Sequence, residues 1–326
     1  MRSTLLGIGC ALALVLLAAG AAQAAITIDT VTVGNPGNAA DTRYDTPGYG
    51  AVAYSYNIGT YEVTAGQYTT FLNAVATTDT YGLYNTTMSR TDYGCGIVRT
   101  GSPGSYAYSV DSAFVNRPVN YVSFWDATRF ANWLHNGQGG AGTTEYGAYT
   151  LTSDGMANNT ITRNAGWQWA VTSEDEWYKA AYYNPATSSY YDYPTSSNAA
   201  PGRDMADISG NNANCYGDPI PIDSPYYTTL VGEFQNSDSP YGTFDQGGNV
   251  FEWNEAIISG SYRGLRGGSY GLNVYTLLAS DRGSLDPSSE DDSIGFRVSE
   301  VPEPASMGLL ALGGLALLAR RRTARR

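Results

Sequence analysis

Alternation of apolar and polar residues predicts short strands near the start of the chain. Residues 26–31 alternate as a half-buried strand does, and residues 54–58 alternate again. Turn signals at Asn35-Pro36-Gly37 and Pro47-Gly48 lie between the two segments. Three long segments rich in Gly, Ser, Tyr and Asn lack helical periodicity, and we expect ordered loops there: residues 76–116, 136–165 and 184–245.

Three short helices are predicted where a capping residue precedes apolar residues at helical spacing. Thr64 with Gln67, and Ser173 with Glu176, can each form a capping box, and Ser123 can cap a helix between them. The expected inward positions are Tyr68, Phe71, Leu72 and Ala74 in the first helix and Ala127, Phe130, Ala131 and Leu134 in the second.

Composition restricts the class of protein. Of the 326 residues, 42% are hydrophobic and 15% are charged, which is too apolar for a disordered chain and too polar for a protein with several membrane spans. The net charge is −12, and six of the 18 basic residues lie near the two ends. Because an acidic surface repels phosphate, we expect no nucleic-acid partner. Carboxylates are, however, good calcium ligands.

The few histidines and cysteines exclude several kinds of catalytic site. His135 is the single histidine, so zinc or iron sites built on two or three histidines cannot form, and a Ser-His-Asp triad would have to use it. We expect His135 at the surface or at the end of a helix. Cys10 lies in the apolar N-terminal segment, which leaves Cys95 and Cys215 for at most one disulfide.

Three consecutive acids at residues 174–176 raise the alternative of a paired-carboxylate site for glycoside hydrolysis. Acidic residues are also favoured in the first turn of a helix, where they interact with its positive end. We prefer the second interpretation because the capping box of Ser173 and Glu176 begins a helix here.

Residues 1–24 have the three parts of a secretory signal peptide. Arg2 gives the basic start, residues 5–19 form an apolar core, and Ala22-Gln23-Ala24 fits the cleavage site. We predict cleavage before Ala25, with an uncleaved membrane anchor as the alternative.

Residues 300–326 form a second targeting segment. Pro302-Glu303-Pro304 precedes a mostly apolar stretch, residues 305–319, and then Arg320-Arg321-Arg322. The stretch is short for a membrane span, which usually needs about 17–25 residues, and the basic residues behind it would stay in the cytoplasm. These three parts in this order resemble the PEP-CTERM sorting signal of Gram-negative bacteria, and a plain tail anchor is the alternative.

The resemblance to that signal implies an exosortase as the processing partner. It also implies a short transmembrane helix that anchors the chain transiently in the inner membrane, followed by delivery to the cell surface or the extracellular space. Residues 25–299 show no repeat and no obvious linker, so we predict a single domain there.

Six motifs in this domain occur in an order that resembles the formylglycine-generating enzyme, or sulfatase-modifying factor, family. They are Glu62 to Tyr68, Pro118 to Ala127, Ser173 to Trp177, Gly248 to Trp253, Arg266 to Ser269, and Gly295 to Arg297. The resemblance implies an α+β chain with a complex C-type-lectin-like fold of the formylglycine-generating enzyme type and little regular secondary structure.

The oxidases of that family bind copper(I) through two cysteines shortly after the R-G-G-S motif. By alignment Leu272 takes the first of these positions, and the second falls near Leu277 or in a small gap; no cysteine follows Cys215. Because copper(I) prefers thiolate ligands, we expect no copper and no formylglycine-generating activity. The histidine-bound iron of related branches is not expected either, since His135 stands alone.

The resemblance also implies two calcium sites made of oxygen ligands. The first comprises the side chains of Asp245 and Glu252 with the carbonyls of Gly248 and Val250, and the second comprises Asn214 and Asp223 with the carbonyls of Cys215 and Pro225. Such oxygens suit calcium, and we expect the metal to stabilise the fold. The alternative for Glu252 is hydrogen bonding to nearby backbone amides.

A ligand groove is predicted at Phe251, Ser269 and Arg282. Phe251 stands where tryptophan is common in the family motif, which puts any role of that ring in ligand binding in doubt. Arg282, like Arg297, is alternatively expected to form a buried ion pair with a carboxylate.

We therefore expect an exported, non-catalytic module, stabilised by calcium, that binds an extracellular glycan or peptide. Loops rich in Tyr, Asn, Ser and Gly suit adaptable recognition on a rigid scaffold. One alternative is an enzyme of the same superfamily with cysteine-independent chemistry, and another is a structural component of an extracellular matrix. Similarity of fold does not choose among the three, because function depends on the site.

Overall fold

The computed structural model describes residues 25–301, in which short helices and strands alternate with long loops. Four helices lie at Ala65–Val75 (α1), Phe124–His135 (α2), Ser153–Ala157 (α3) and Glu174–Tyr182 (α4). The strands are Thr30–Val33 (β1), Tyr56–Gly59 (β2), Ile97–Thr100 (β3), Ala107–Val110 (β4), Trp169–Val171 (β5), Tyr183–Asn184 (β6), Ser189–Tyr190 (β7), Phe251–Ile258 (β8), Tyr262–Arg266 (β9), Gly283–Leu285 (β10), Ile294–Gly295 (β11) and Val298–Glu300 (β12).

The predicted signal peptide lies outside the described residues, as does the Pro-Glu-Pro, apolar and arginine part of the sorting segment. Between residues 25 and 301, no helix is both long enough and apolar enough to cross a membrane.

The three predicted helices begin at the predicted caps. Thr64, Ser123 and Ser173 each accept a hydrogen bond from the backbone N–H three residues later, and in each case the side chain at that later position accepts from the N–H of the cap residue. This arrangement satisfies backbone donors that the first turn leaves unpaired. The prediction of the helix starts is confirmed, whereas α3, a single five-residue helix inside a predicted loop, was not foreseen.

Two four-stranded sheets organise the chain, with strand orders β1-β2-β12-β5 and β10-β9-β8-β11. Strand β12, at the end of the described chain, pairs antiparallel with both β2 and β5. In the second sheet β8 and β9 form an antiparallel hairpin, and β11 lies parallel to the start of β8. Segments distant in sequence therefore meet where β8 begins.

The first strand lies later than predicted, because side chains bind the backbone before it. Gln138 accepts a hydrogen bond from the N–H of Ile26 and donates to its carbonyl, and Gln67 donates to the carbonyl of Thr27. These bonds replace sheet pairing, and the ladder with β2 starts only at Thr30. The alternation of residues 26–31 therefore marks an extended segment whose first part is outside the sheet.

Aromatic side chains of α1 and α2 form the centre of the core. Phe71 contacts Phe130 and Trp133, each with ring centroids 5.3 Å apart, and Phe130 contacts Phe296 at the same distance. Of the predicted inward positions, all are buried except Ala74, which is half-buried. Because Phe296 adjoins Arg297, this packing also fixes the position of the arginine used by the site described next.

Candidate functional site

Glu252, predicted as a calcium ligand, lies near the start of β8 and binds an arginine. Its Oε2 is 2.6 Å from Nε of Arg297, and its Oε1 is 2.7 Å from Nη2. The indole N–H of Trp177 also donates to Oε2, at 2.7 Å. Both charged side chains are fully buried. The expectation that Arg297 forms a buried ion pair is confirmed.

Arg297 binds backbone carbonyls with the rest of its guanidinium group. Nη1 donates to the carbonyls of Gly59 and Thr60, and Nη2 donates to the carbonyl of Phe244. One carboxylate and three carbonyls are a set of oxygens that calcium also accepts. The guanidinium group of Arg297 is therefore surrounded by oxygen atoms of the kind that could also bind a metal cation.

Asp245, the second predicted anionic ligand, is held in the loop before β8. Its Oδ2 accepts a hydrogen bond of 2.6 Å from the N–H of Gly232. Burial raises the pKa of its carboxyl group to about 6, although Arg297 nearby lowers it. The N–H of Gly232 and the charge of Arg297 therefore offset only part of the effect of burial on Asp245.

Glu62, which sequence analysis did not assign to a site, adds a third carboxyl group to this region. Its side chain is almost fully buried, and neither carboxyl oxygen accepts a hydrogen bond from the described residues. Burial and then the charges of Asp245 and Glu252 raise its pKa well above the usual range. The only signal in the sequence was its place in the first motif, which we used to predict a helix start.

The second predicted calcium site is engaged in contacts within the protein. Asp223 forms an ion pair with Arg117, and the carbonyl of Cys215 accepts from Nε of Arg203 at 2.6 Å. The side chain of Asn214 donates to the carbonyl of Tyr227. As arranged, these oxygen atoms do not suit a calcium ion. Arg117 already neutralises the carboxylate of Asp223, and Arg203 already binds the carbonyl of Cys215.

The structure brings the two predicted sets of calcium ligands next to each other. Gly248 has φ +85°, and a Cβ on it would lie 2.2 Å from the carbonyl oxygen of Asn214. That same oxygen accepts the N–H of Asn249. Val250 is buried in the core, whereas Pro225 is exposed. In residues 25–301 no three His, Cys, Asp or Glu side chains converge closely enough to hold one metal ion.

Leu272, aligned with the first copper-binding cysteine, and Leu277, near which the second falls unless it lies in a small gap, have different environments. Leu272 is 39% exposed, whereas Leu277 is fully buried. Cys95 and Cys215 are both free, and they belong to different apolar clusters. Burial raises the pKa of the Cys95 thiol to about 12. The disulfide that the sequence allowed is therefore not formed.

His135 is the last residue of α2, as expected. Its Nδ1 accepts the N–H of Gln168 at 3.0 Å, and burial lowers its pKa. This contact joins the end of α2 to the segment that leads into β5.

Of the three predicted groove residues, Arg282 lies at a surface groove that the other two do not reach. Arg282 borders a groove of about 440 Å³ together with Asp45, Pro47, Gly48, Tyr49, Ser173, Glu174, Asp175, Glu255 and Ala256. Ser269 is fully buried, and Phe251 packs against the main core, so neither belongs to this groove.

The three consecutive acids at the start of α4 share no partner with one another. Glu174 accepts from Nε of Arg282 at 2.8 Å and from Nε of Arg266 at 2.9 Å. Asp175 accepts the N–H of Gly50, and Glu176 points inward to Arg163. The separate partners agree with a role in positioning α4 rather than with a pair of acids that act on one bond.

A larger cleft of about 770 Å³ lies elsewhere on the surface, between the N-terminal segment, α1 and the loop at residues 230–235. Its walls include Ile26, Ile28 and Val115, and its acidic members are Asp29, Glu62 and Glu233. Sequence analysis missed this cleft because its walls come from segments that are far apart along the chain.

The fold defines a class: a lectin-like domain of the formylglycine-generating enzyme type, here in a sequence with no cysteine after Cys215. The chain matches the model of the family described as the Sulfatase-modifying factor enzyme 1-like domain over residues 14–301, and it belongs to that family. A PEP-CTERM protein-sorting motif matches residues 300–322. This motif points to export to the surface of a Gram-negative bacterium and implies processing by exosortase-type machinery.

Solved structures confirm the fold class. The crystal structure of CarF is similar with a TM-score of 0.57 and 21% identity, over 85% of this chain and 99% of that chain. Treponema denticola variable protein 1 is similar with a TM-score of 0.50 and 19% identity, over 84% and 95% of the two chains. At these identities the similarity shows the fold alone. No curated protein matches the sequence.

Proposed function

We propose that this protein is a non-catalytic binding module which is displayed outside the cell and recognises a glycan. Leucine at the first aligned copper-binding position, Leu272, and the lack of any cysteine after Cys215 support the absence of the family's oxidase chemistry, because copper(I) needs thiolate ligands. The sorting motif supports a location outside the cell. We further propose that the chain is anchored transiently in the inner membrane before it is processed.

The groove beside Arg282 is the observation that carries this proposal. Its lining is dominated by carboxylates, a guanidinium, a serine and a tyrosine. Two nitrogens of Arg282 bind Glu174, while Nη1 makes no hydrogen bond to the described residues. Charged donors and acceptors at a groove match the dense hydroxyl groups of a sugar. An extracellular peptide is the alternative ligand within the same proposal.

Calcium is part of the proposal as a structural ion near Asp245. Burial raises the pKa of this carboxyl group to about 6, and a calcium ion beside it would favour the ionised form. The ion would hold the loop before β8 and would take no part in chemistry.

A glycan-binding screen of the exported protein, in calcium and then in EDTA, tests the proposal. The decisive comparison is Arg282→Ala against Arg90→Ala, since both arginines are partly exposed and each pairs with a nearby carboxylate. We expect Arg282→Ala to abolish glycan binding and Arg90→Ala to leave it unchanged. Binding that survives Arg282→Ala would remove the groove from the proposal. No glycan or peptide binding by the folded protein would overturn it.

A further inference from the structure

A second groove, of about 650 Å³, lies at the tip of the β8–β9 hairpin, between the start of α2, the end of α3 and the segment after β10. It shares no lining residue with the groove of Arg282. The lining residues with hydrogen-bonding side chains are Trp125, Asn158, Asn159, Ser261, Asp286 and Ser288. No basic side chain lines this groove, so it favours neutral rather than anionic ligands.

The indole N–H of Trp125 is the observation that points to a ligand here. Four tryptophans between residues 25 and 301 are more than nine-tenths buried. Three of them, Trp133, Trp177 and Trp253, donate the indole N–H to an oxygen of the protein. Trp125 is 7% exposed, and its N–H makes no hydrogen bond to the described residues, yet this nitrogen is not sealed from solvent. Because a buried indole N–H usually has a partner, this one is available to an acceptor in the groove.

Asn159 and Arg263 hold the floor of this groove in place. Oδ1 of Asn159 accepts a hydrogen bond of 2.6 Å from Nε of Arg263. The guanidinium of Arg263 is buried and lies over the ring of Phe124, 4.4 Å from its centroid. Asn159 has φ +50°, a left-handed conformation that asparagine adopts more readily than most residues. Side chains fixed in this way lose little conformational freedom when a ligand binds.

The rim of the groove adds oxygen atoms that are free to bind a ligand. Oδ1 of Asp286 accepts from the N–H and the hydroxyl group of Ser288, which leaves Oδ2 without a partner among the described residues. The side chain of Asn158 donates to the carbonyl of Asp154, while its amide oxygen accepts no hydrogen bond from residues 25–301. Sugar hydroxyl groups both donate and accept hydrogen bonds, so they match one indole donor with several oxygen acceptors.

Two segments of the chain lead from the groove of Arg282 to this second groove. Arg282 and Asp286 stand on either side of β10, while Ala256 lies in β8 and Gly260 in the turn after it. Each pair is four positions apart in the sequence, a span of about 13 Å at the rise of a β-strand. Strand β10 is also an edge of its sheet. An extended glycan chain can therefore contact both grooves.

We propose that the groove of Trp125 is a second subsite for the glycan chain bound at Arg282, and that it takes neutral sugar residues through their hydroxyl groups. The inference rests on the glycan part of the proposed function and extends that site along the ligand. Arg282 supplies the charged contact on which binding depends. The indole N–H of Trp125 and the oxygens around it add affinity only for a glycan that is long enough to reach them.

Fragments of increasing length test this subsite. They are prepared by partial acid hydrolysis, from the disaccharide upwards, of the glycan that the exported protein binds in the screen, and titration calorimetry gives their dissociation constants. Affinity should rise once a fragment reaches both grooves, and Arg282→Ala should abolish binding at every length.

Trp125→Phe is the decisive variant, because it keeps an aromatic ring and loses the N–H. It should weaken binding of the long fragments about three- to tenfold, the usual net contribution of one hydrogen bond, and leave the disaccharide unchanged. Trp167→Phe is the matched control, since Trp167 is a half-buried tryptophan that does not line the groove. It should change neither affinity.

Equal affinity of the wild type for short and long fragments would overturn the second subsite, as would undiminished binding of long fragments by folded Trp125→Phe. If that variant does not fold, Asp286→Asn at the exposed rim decides in the same way, because it removes the carboxylate and keeps an oxygen that Ser288 can bind. A screen in which no glycan binds would overturn the proposed function and the subsite together. Binding through Arg282 that does not strengthen with length would overturn the subsite alone.

Discussion

Glu252 and Arg297 form an ion pair with two direct contacts, at 2.6 and 2.7 Å, in which both side chains are fully buried. The pair joins the beginning of β8 to the residue just before β12, and through the carbonyls of Gly59 and Phe244 it also holds the end of β2 and the loop before β8. Burying two charges is costly, and removal of one partner leaves the other without compensation. The pair is therefore a structural requirement of this part of the fold.

Arg297→Met is expected to lower the free energy of unfolding by about 3–5 kcal/mol, the usual cost of leaving a buried charge unpaired. Urea denaturation of the exported protein measures this loss. Arg297→Lys is the control, since it keeps the positive charge while losing the two-contact geometry, and it should cost less. A loss under about 1 kcal/mol for Arg297→Met would contradict a structural role.

The two arginines that bind Glu174 are expected to differ in their effect on stability. Arg266 is buried and Arg282 is partly exposed, and both donate to the same carboxylate. Arg282→Ala should therefore cost no more than about 1 kcal/mol, because Arg266 still compensates Glu174 and solvent screens the exposed pair. Arg266→Met should cost clearly more. The free energies of unfolding of the two variants are measured by urea denaturation. An equal loss in Arg282→Ala and Arg266→Met would contradict the prediction.

Lys179, the single lysine, predicts a change of stability with pH. Its side chain is buried with the carbonyl of Asn35 as its partner, and burial lowers its pKa to about 8. An exposed lysine has a pKa of 10.5, so between these two pH values the unfolded chain binds more protons than the folded chain. The contribution of Lys179 to stability therefore rises as the pH increases through this window.

Comparison with Lys179→Met isolates this contribution from the tyrosines that also ionise near the upper end of the window. We expect the free energy of unfolding of the wild type, relative to that of Lys179→Met, to increase between about pH 8 and pH 10. A difference that stays constant or falls over that range would contradict the lowered pKa.

Both described cysteines are expected to be unreactive in the folded protein. Cys95 is buried with a pKa of about 12, and burial also raises the pKa of Cys215. Because the thiolate is the reactive form, an aromatic disulfide reagent should label neither thiol before denaturation and both afterwards. Reductant should not change the melting temperature, since the two residues are unpaired. Labelling of either thiol in the native protein would contradict the burial.

The parts of this structure that sequence could predict are those set by neighbours along the chain. The helix starts at Thr64, Ser123 and Ser173 depend on residues three positions apart, and all three were predicted. The start of β1 was misplaced because Gln138, far away in sequence, binds Ile26. The six ordered motifs predicted the fold class, which the similar structures confirm.

The candidate site was less predictable because its chemistry depends on contacts across the chain. Sequence analysis placed Glu252 and Arg297 in motifs but did not pair them with each other, and nothing local marked Glu62 as buried without a partner. Phe251, Ser269 and Arg282 are near one another in sequence, yet only Arg282 reaches the polar groove. The predicted calcium ligands stay a prediction that the binding experiment above addresses.

Gly248, in the turn before β8, gives a prediction that separates backbone strain from steric contact. Its φ is +85°, and an added Cβ would lie 2.2 Å from the carbonyl oxygen of Asn214. Gly260 has a similar φ of +75°, but nothing lies within 4 Å of an added Cβ there. Gly260→Ala should cost about 1–2 kcal/mol from the left-handed backbone alone. Gly248→Ala should cost about 1–3 kcal/mol more, because the turn must move away from Asn214.

The free energies of unfolding of these two variants in urea measure that difference directly. Movement of Gly248 would also shift Asn249, whose N–H binds the same carbonyl oxygen of Asn214. Equal destabilisation by the two variants would mean that the contact with Asn214 relaxes without cost, and that the glycine is needed at this turn only for its backbone conformation.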